Sequence, residues 1–196
     1  MQKLLLASTS PTRKKILLNA GIKFIHKTPL VNEEKEKKKL NNINKPEKIC
    51  QSLAKQKSIK TSLKYPAYLV LGADTCLIYK KNFLSKPKTK TMARQLLNKL
   101  KGKEHKIYSS LYISKKGKKI WSYNDEARLK IRKLTKKEIT KYIHKIKLKK
   151  IQQSGLYQIE NSGITLFEKI EGSHFTILGL PLIPLLKFLN KKGFLI

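Results

Sequence analysis

An α/β fold, in which helices surround a mixed β-sheet, is what this sequence of 196 residues predicts. Three observations support it. Short apolar, β-branched runs alternate with stretches of helical periodicity. That alternation is irregular, which argues a mixed sheet. The composition, 40% apolar and 8% aromatic, gives one domain over residues 1–196 enough material for a sizeable core.

The elements follow in order. Lys3 to Ala7 is a short apolar strand. Ser10-Pro11 then starts a helix, with Ser as N-cap and Pro at the first helical position. Ile16, Leu17 and Ala20 form its apolar face, and Gly21 ends it. Ile22 to His26 reads as a strand. EEKEKKKLNNINKP is charged and without apolar periodicity, which predicts a mobile loop. Pro46 opens a helix to about Leu63 with Ile49, Leu53 and Ile59 as its buried face. Tyr68 to Tyr79 is a strand closed by a hairpin-like turn at Lys80-Lys81-Asn82. A helix from Lys90 to Lys101 carries Ala93, Leu96, Leu97 and Leu100, and Gly102 stops it. Lys106 to Ser114 and Lys118 to Tyr123 are strands around KKGK, and Arg128 to Leu134 is another. Thr135 with Glu138 signals a capping box for a helix to about Ile146. Gly163 to Ile170 reads as a strand and Pro181 to Asn190 as a terminal helix. No internal repeat is visible.

The formal net charge of +33 raises nucleic acid or acidic membrane as partners. Against that, Arg occurs only at positions 13, 94, 128 and 132, so the excess is Lys spread along the chain. Lys supplies solubility and point charge, not the forked geometry of base readout. Basic clusters interleaved with aromatics are lacking as well. Cys50 and Cys76 have neither CxxC spacing nor a nearby His cluster, which argues against zinc; their even number permits a disulfide, and the expectation is a buried, reduced thiol pair. The apolar run in MQKLLLASTSP is too short for a signal peptide. FTILGLPLIPLL is short and broken by Pro181 and Pro184, which rules it out as a spanning helix. The expectation is a soluble cytoplasmic protein.

Four stretches bear on the chemistry. In LLASTSPTRKKILL a strand runs into Ser8, Ser10 and a helix N-terminus, an arrangement that can bind an anion, with Arg13 as a clamp. Taken alone, the stretch reads slightly better as an ordinary N-cap beside a surface Arg. In LVLGADTCLIY, Asp74 interrupts a buried strand, and Asp125 is the only other Asp in the chain. A carboxylate there needs a partner or a purpose. Gly72 and Ala73 before it allow another chain or a ligand close approach. Asp74 is either bonded to backbone amides or serves as metal ligand or general base at a strand end. Lys57, Lys86 and Glu33 are single charged residues whose context alone says little, and YQIENSGITLFEKIEGSHFTILGLPLIPLL says only that the backbone turns tightly.

LASTSPTRKKILLNAGIKF resembles the LASxSPRRxxLLxxxG opening of the Maf family of nucleoside triphosphate pyrophosphatases, whose name refers to inhibition of septum formation. The likeness continues in order through VNE (31–33), LAKQK (53–57), LGADTCL (71–77), KPKTKTMARQLLNKLKGKEHKIYSS (86–110) and SGLYQIENSGITLFEKIEGSHFTILGLPL. It covers essentially the whole chain. The resemblance implies an elongated mixed sheet in two lobes with a central cleft, like inosine triphosphate pyrophosphatases. It implies hydrolysis of nucleoside triphosphates, non-canonical or modified ones among them, to the monophosphate and pyrophosphate. Ser8, Ser10, Arg13, Lys57 and Lys86 would contact phosphates. Glu33 and Asp74 would hold Mg²⁺ or Mn²⁺, with Asp74 as proton acceptor. A homodimer and a link to cell-division arrest also come with the family.

Two departures matter. The family's basic pair after SP becomes Thr12-Arg13, which shifts one phosphate contact to Lys14 or removes it. The common IQG becomes Ile159-Glu160-Asn161, so Glu160 stands where a Gln is often assigned to substrate recognition. STSP and GITLFE-x-x-EG resemble the branch that hydrolyses 7-methyl-GTP, and a carboxylate suits the donor edge of guanine. GADT, in place of that branch's GSDQ, points toward the branch preferring dTTP and UTP. The competing classes are a Lys-driven nucleic-acid-binding module and a non-enzymatic division regulator.

Overall fold

The computed structural model describes residues 2–40 and 45–194. In chain order these form β1 (Lys3–Ala7), α1 (Pro11–Asn19), β2 (Phe24–Lys27), α2 (Glu33–Leu40), α3 (Pro46–Lys64), β3 (Tyr68–Tyr79), β4 (Asn82–Leu84), α4 (Lys90–Leu100), β5 (Glu104–Lys115) and β6 (Lys118–Ile131). They continue with α5 (Lys136–Lys145), α6 (Leu148–Ser154), a 3₁₀ turn (Ser162–Leu166), β7 (Phe167–Glu171), α7 (His174–Ile177) and α8 (Leu182–Asn190).

The strands make one seven-stranded mixed sheet in the order β2-β1-β3-β5-β6-β7, with β4 also on β3. β1 runs parallel to β2 and β3, while every pairing from β3 through β5 and β6 to β7 is antiparallel. Two apolar cores lie along it. One gathers Leu4, Leu6, Leu17, Leu71, Leu111 and Leu185 under α1 and α8. The other gathers Leu97, Leu100, Ile107, Leu129, Ile139 and Ile143 under α4 and α5. β3 and β5 run through both, so the fold is the expected mixed sheet flanked by helices. Among the described residues no helix is long and apolar enough to cross a membrane.

Local chemistry explains most boundaries. Ser10 caps α1 by accepting from the Arg13 amide, and Pro11 follows it. Thr135 and Glu138 form the expected capping box. Lys80 and Lys81 take positive φ in the β3–β4 hairpin.

Three expectations are corrected. The charged stretch after Asn32 is not a loop over Glu33–Leu40 but α2; of the rest of that prediction, 41–44 lie outside the described residues. Its N-terminal Glu33, Glu34 and Glu36 suit the helix dipole. The Asn32 side chain accepts from the Lys35 amide, and Gln56 on α3 donates to Glu36. Polar docking replaces the missing apolar stripe. The two strands expected across YNDE are one, β6, because the polar stretch is itself bonded: Thr176 donates to Asp125, and Lys106 pairs with Glu126. The strand expected from Gly163 starts only at Phe167. A Cβ on Gly163 would lie 2.6 Å from Gln158 backbone atoms, and this close approach belongs to the 3₁₀ turn. The short helices α6 and α7 had no periodic signal.

Candidate active site

The edge of β3 opens where its neighbours change. β1 accompanies it to the pair Ala7–Gly72, and β4 joins the same edge only at Leu77–Leu84. Between these points Ala73–Cys76 pair with β5 on the other edge. The open edge borders a cleft of about 870 Å³ between the two cores. Ser8, Ser10, Arg13, Glu33, Lys57, Asp74, Lys86 and Glu160 all line it. Seven different elements or connections thus contribute to one site. Lys14 is half-buried on α1 and is not part of the lining.

Asp74 is 6% exposed, and its partner is Lys57, which is also buried. The Lys57 ammonium lies 2.6 Å from Asp74 Oδ1 and 2.8 Å from Glu33 Oε1. One cation therefore draws together two carboxylates from different elements. Burial works to discharge Lys57, but the fields of Asp74 and Glu33 prevail and raise its pKa. Gly72 makes this contact reachable: a Cβ there would sit 2.3 Å from the Ala54 carbonyl oxygen and 2.6 Å from the Ser58 nitrogen. The close approach foreseen at Gly72 is that of α3. A chain of small hydroxyls keeps the helix down, with Ser58 bonded to the Val70 carbonyl and to Ser114, and Ser114 to Ser62.

Arg13 is buried and multiply held, unlike the surface Arg of a plain N-cap. Its Nε donates to the Gly179 carbonyl at 2.8 Å and one Nη to Thr75 Oγ1 at 2.9 Å; the other Nη lies 3.4 Å from Ser8 Oγ. Burial lowers its pKa, and the nearby Asp74 carboxylate works against that. Thr75 and Gly179 are participants the sequence reading did not single out. Gly179 has φ +88°, and a Cβ would meet Thr75 Oγ1 at 2.6 Å, so the Gly of GLP is required by both conformation and space. The GLP motif was the only available signal.

Lys86 faces the cleft from beyond β4 and donates to the Gln153 carbonyl at 2.9 Å, in the last turn of α6. Water reaches it, yet the surrounding walls desolvate the ammonium. That and the repulsion of Arg13 lower its pKa to about 8. Glu160 is exposed at the rim. The cleft's apolar lining includes Ile49, Leu77, Phe83, Leu84, Leu96 and Tyr157. The site thus offers oxygen donors for a hard cation, fixed cations and a helix N-terminus for an anion, and an apolar wall.

Comparison with known proteins finds relatives that match nearly the whole chain. A nucleoside triphosphate pyrophosphatase of Rhodopseudomonas palustris is 36% identical over 194 residues, covering 99% of this chain and 96% of the relative. A 7-methyl-GTP pyrophosphatase of Brucella abortus is 38% identical over 191 residues, covering 97% and 96%. A nucleoside triphosphate pyrophosphatase of Caulobacter vibrioides is 38% identical over 190 residues, covering 96% and 94%. Among solved structures, a HAM1 protein from Coxiella burnetii shares 14% identity at a TM-score of 0.40 over 68% of this chain and 75% of that one, too slight a likeness to argue from. The family model described as Maf-like protein matches residues 3–192, and with relatives this similar over nearly their whole length, the chain belongs to the Maf family.

Proposed function

We propose that the protein hydrolyses a nucleoside triphosphate to the monophosphate and pyrophosphate, water attacking the α-phosphorus. The observation that carries this reading is the buried Lys57–Asp74 pair, joined by the exposed Glu33, in the same cleft as Ser8, Ser10, Arg13 and Lys86. A triphosphate is a dense anion, and its hydrolysis needs cations around the leaving pyrophosphate.

The donor set fits a hard divalent cation. The carboxylates of Glu33 and Asp74 already converge on one positive group, and Mg²⁺ takes a few carboxylates together with phosphate oxygens and water. Glu33 and Asp74 would hold Mg²⁺ or Mn²⁺, which when bound neutralises phosphate charge and acidifies water. The chain's own groups do the rest. The amides of the first turn of α1 and the hydroxyls of Ser8 and Ser10 receive phosphate oxygens. Arg13, fixed by Gly179 and Thr75, is a preformed cation that costs little side-chain entropy to use. Lys86 adds charge from the opposite wall. An ammonium carries three protons; Lys57 directs two at the carboxylates and offers the third to a phosphate. Asp74 accepts the proton of the attacking water. The apolar wall takes the base.

Glu160 favours a second, narrower reading, preference for 7-methyl-GTP, because a rim carboxylate can accept from the N1–H and N2–H₂ edge of guanine. Some relatives bear that name and others the general one. Pyrophosphate release from the four standard triphosphates and 7-methyl-GTP, with Mg²⁺ and with Mn²⁺, tests both readings. Turnover of any of them supports the activity; turnover of none refutes it. If Glu160 reads guanine, Glu160→Gln erodes the purine preference about five- to hundredfold. An unchanged ranking refutes the narrower reading alone.

A further inference from the structure

The packing that brings Lys57 to Asp74 also sets two thiols behind the same carboxylate. Cys50 lies two turns before Lys57 on α3, and Cys76 follows Asp74 by two residues, hence on the same face of β3. Both are free thiols with no exposure to solvent. Their sulfurs and a carboxylate oxygen of Asp74 lie within 4.8 Å of one another. The two oxygens of Asp74 divide the work: Oδ1 faces Lys57, and Oδ2 lies 3.9 Å from Cys76 Sγ. The Cys50 sulfur also lies 3.5 Å from the Tyr108 carbonyl oxygen.

We propose that Cys50, Cys76 and Asp74 form a site for a thiophilic divalent cation of the Zn²⁺ or Cd²⁺ class, and that its occupation takes Asp74 away from hydrolysis. Tetrahedral zinc has Zn–S near 2.3 Å and Zn–O near 2.0 Å, which sets its ligands about 3.5–4 Å apart. The three donors need to contract by about an ångström at most. Charge also balances. As the cation enters, each thiol releases its proton to solvent; two thiolates and the carboxylates of Asp74 and Glu33 then face the two charges of the ion and those of Lys57 and Arg13. Mg²⁺, a hard ion, has no use for sulfur and stays with oxygen donors. The cysteine pair therefore discriminates between the two kinds of cation at one carboxylate. The three-donor set is what favours a cation over a disulfide, which would leave Asp74 unused.

The inhibitory consequence rests on the catalytic reading of Asp74; the binding does not. The test titrates the full chain, kept reduced by a non-thiol reductant, with Cd²⁺ and follows the ultraviolet thiolate-to-cadmium charge-transfer band. The expected result is one Cd²⁺ per chain with a band lost in both Cys50→Ala and Cys76→Ala, whose affinities fall by about a hundredfold or more. Thermal melts without metal identify any variant that fails to fold. Cys50→Ala should keep its Mg²⁺-supported hydrolysis and need at least about tenfold more Cd²⁺ to lose it. No band, a band persisting in both variants, or unchanged Cd²⁺ sensitivity of Cys50→Ala overturns the proposal. A wild-type band alongside an Asp74→Asn enzyme of full activity would instead refute the catalytic reading and leave the cation site standing.

Discussion

Replacing Lys86 with Met should remove a pH dependence as well as an affinity. The ammonium stands in a walled part of the cleft, and desolvation with Arg13 nearby lowers its pKa to about 8. At pH 7 about nine-tenths of the free enzyme carries this charge, and at pH 9 about one-tenth. A charge-assisted hydrogen bond to phosphate contributes about 1.5–3 kcal/mol, so Lys86→Met should lower kcat/KM at pH 7 by about one to two orders of magnitude. Only protonated Lys86 makes the contact, so the wild-type advantage should shrink about five- to ninefold between pH 7 and pH 9. The assay is pyrophosphate release at subsaturating nucleotide for both enzymes across that range. Taking their ratio cancels the titration of every group they share. kcat should shift less, because bound phosphate holds Lys86 protonated. A ratio that stays flat, or breaks only near the ordinary lysine value, would refute the reasoning.

Two predictions concern how the scaffold serves the site. Gly72→Ala forces a methyl against the Ala54 carbonyl oxygen and the Ser58 nitrogen, which should cost about 1–3 kcal/mol of stability. Any lift of α3 separates Lys57 from Asp74, so activity should fall further than unfolding curves explain; a stable, fully active variant contradicts the packing argument. His105 is buried and its pKa is lowered by that burial to about 4, below the unfolded value near 6.5. The unfolded chain binds the proton first, so this group costs stability as pH falls from about 6.5 to 4, about 3 kcal/mol in all. His105→Leu should flatten that acid limb in denaturant titrations, and an identical limb in the variant counts against it.

The sequence made the site legible where a residue type broke its local pattern. Asp74 stood out as a carboxylate in a buried strand, and Ser10-Pro11 as a helix start. Both are where the residue types required. Lys57 did not stand out, because in a chain this rich in Lys its meaning is its depth under α3, and depth comes from Gly72 and the serine contacts across α3. Arg13 read as ambiguous for a related reason: its partners Thr75 and Gly179 are distant in sequence. α2 was missed because Glu33 and Glu36 tie it down with polar contacts, and these leave no hydrophobic period. Likewise β6 continues through Asn124-Asp125-Glu126 because tertiary bonds satisfy side chains that locally favour a turn.

The central claim is that Asp74 takes part in the reaction and is not merely the buried counter-ion of Lys57. Asp74→Asn retains the shape and removes the charge. The decisive measurement is the rate of pyrophosphate release by this variant at saturating Mg²⁺ and nucleotide, with folding checked by circular dichroism. The account predicts a folded protein slower by about two to four orders of magnitude. A folded Asp74→Asn protein that keeps most of the wild-type rate would contradict it.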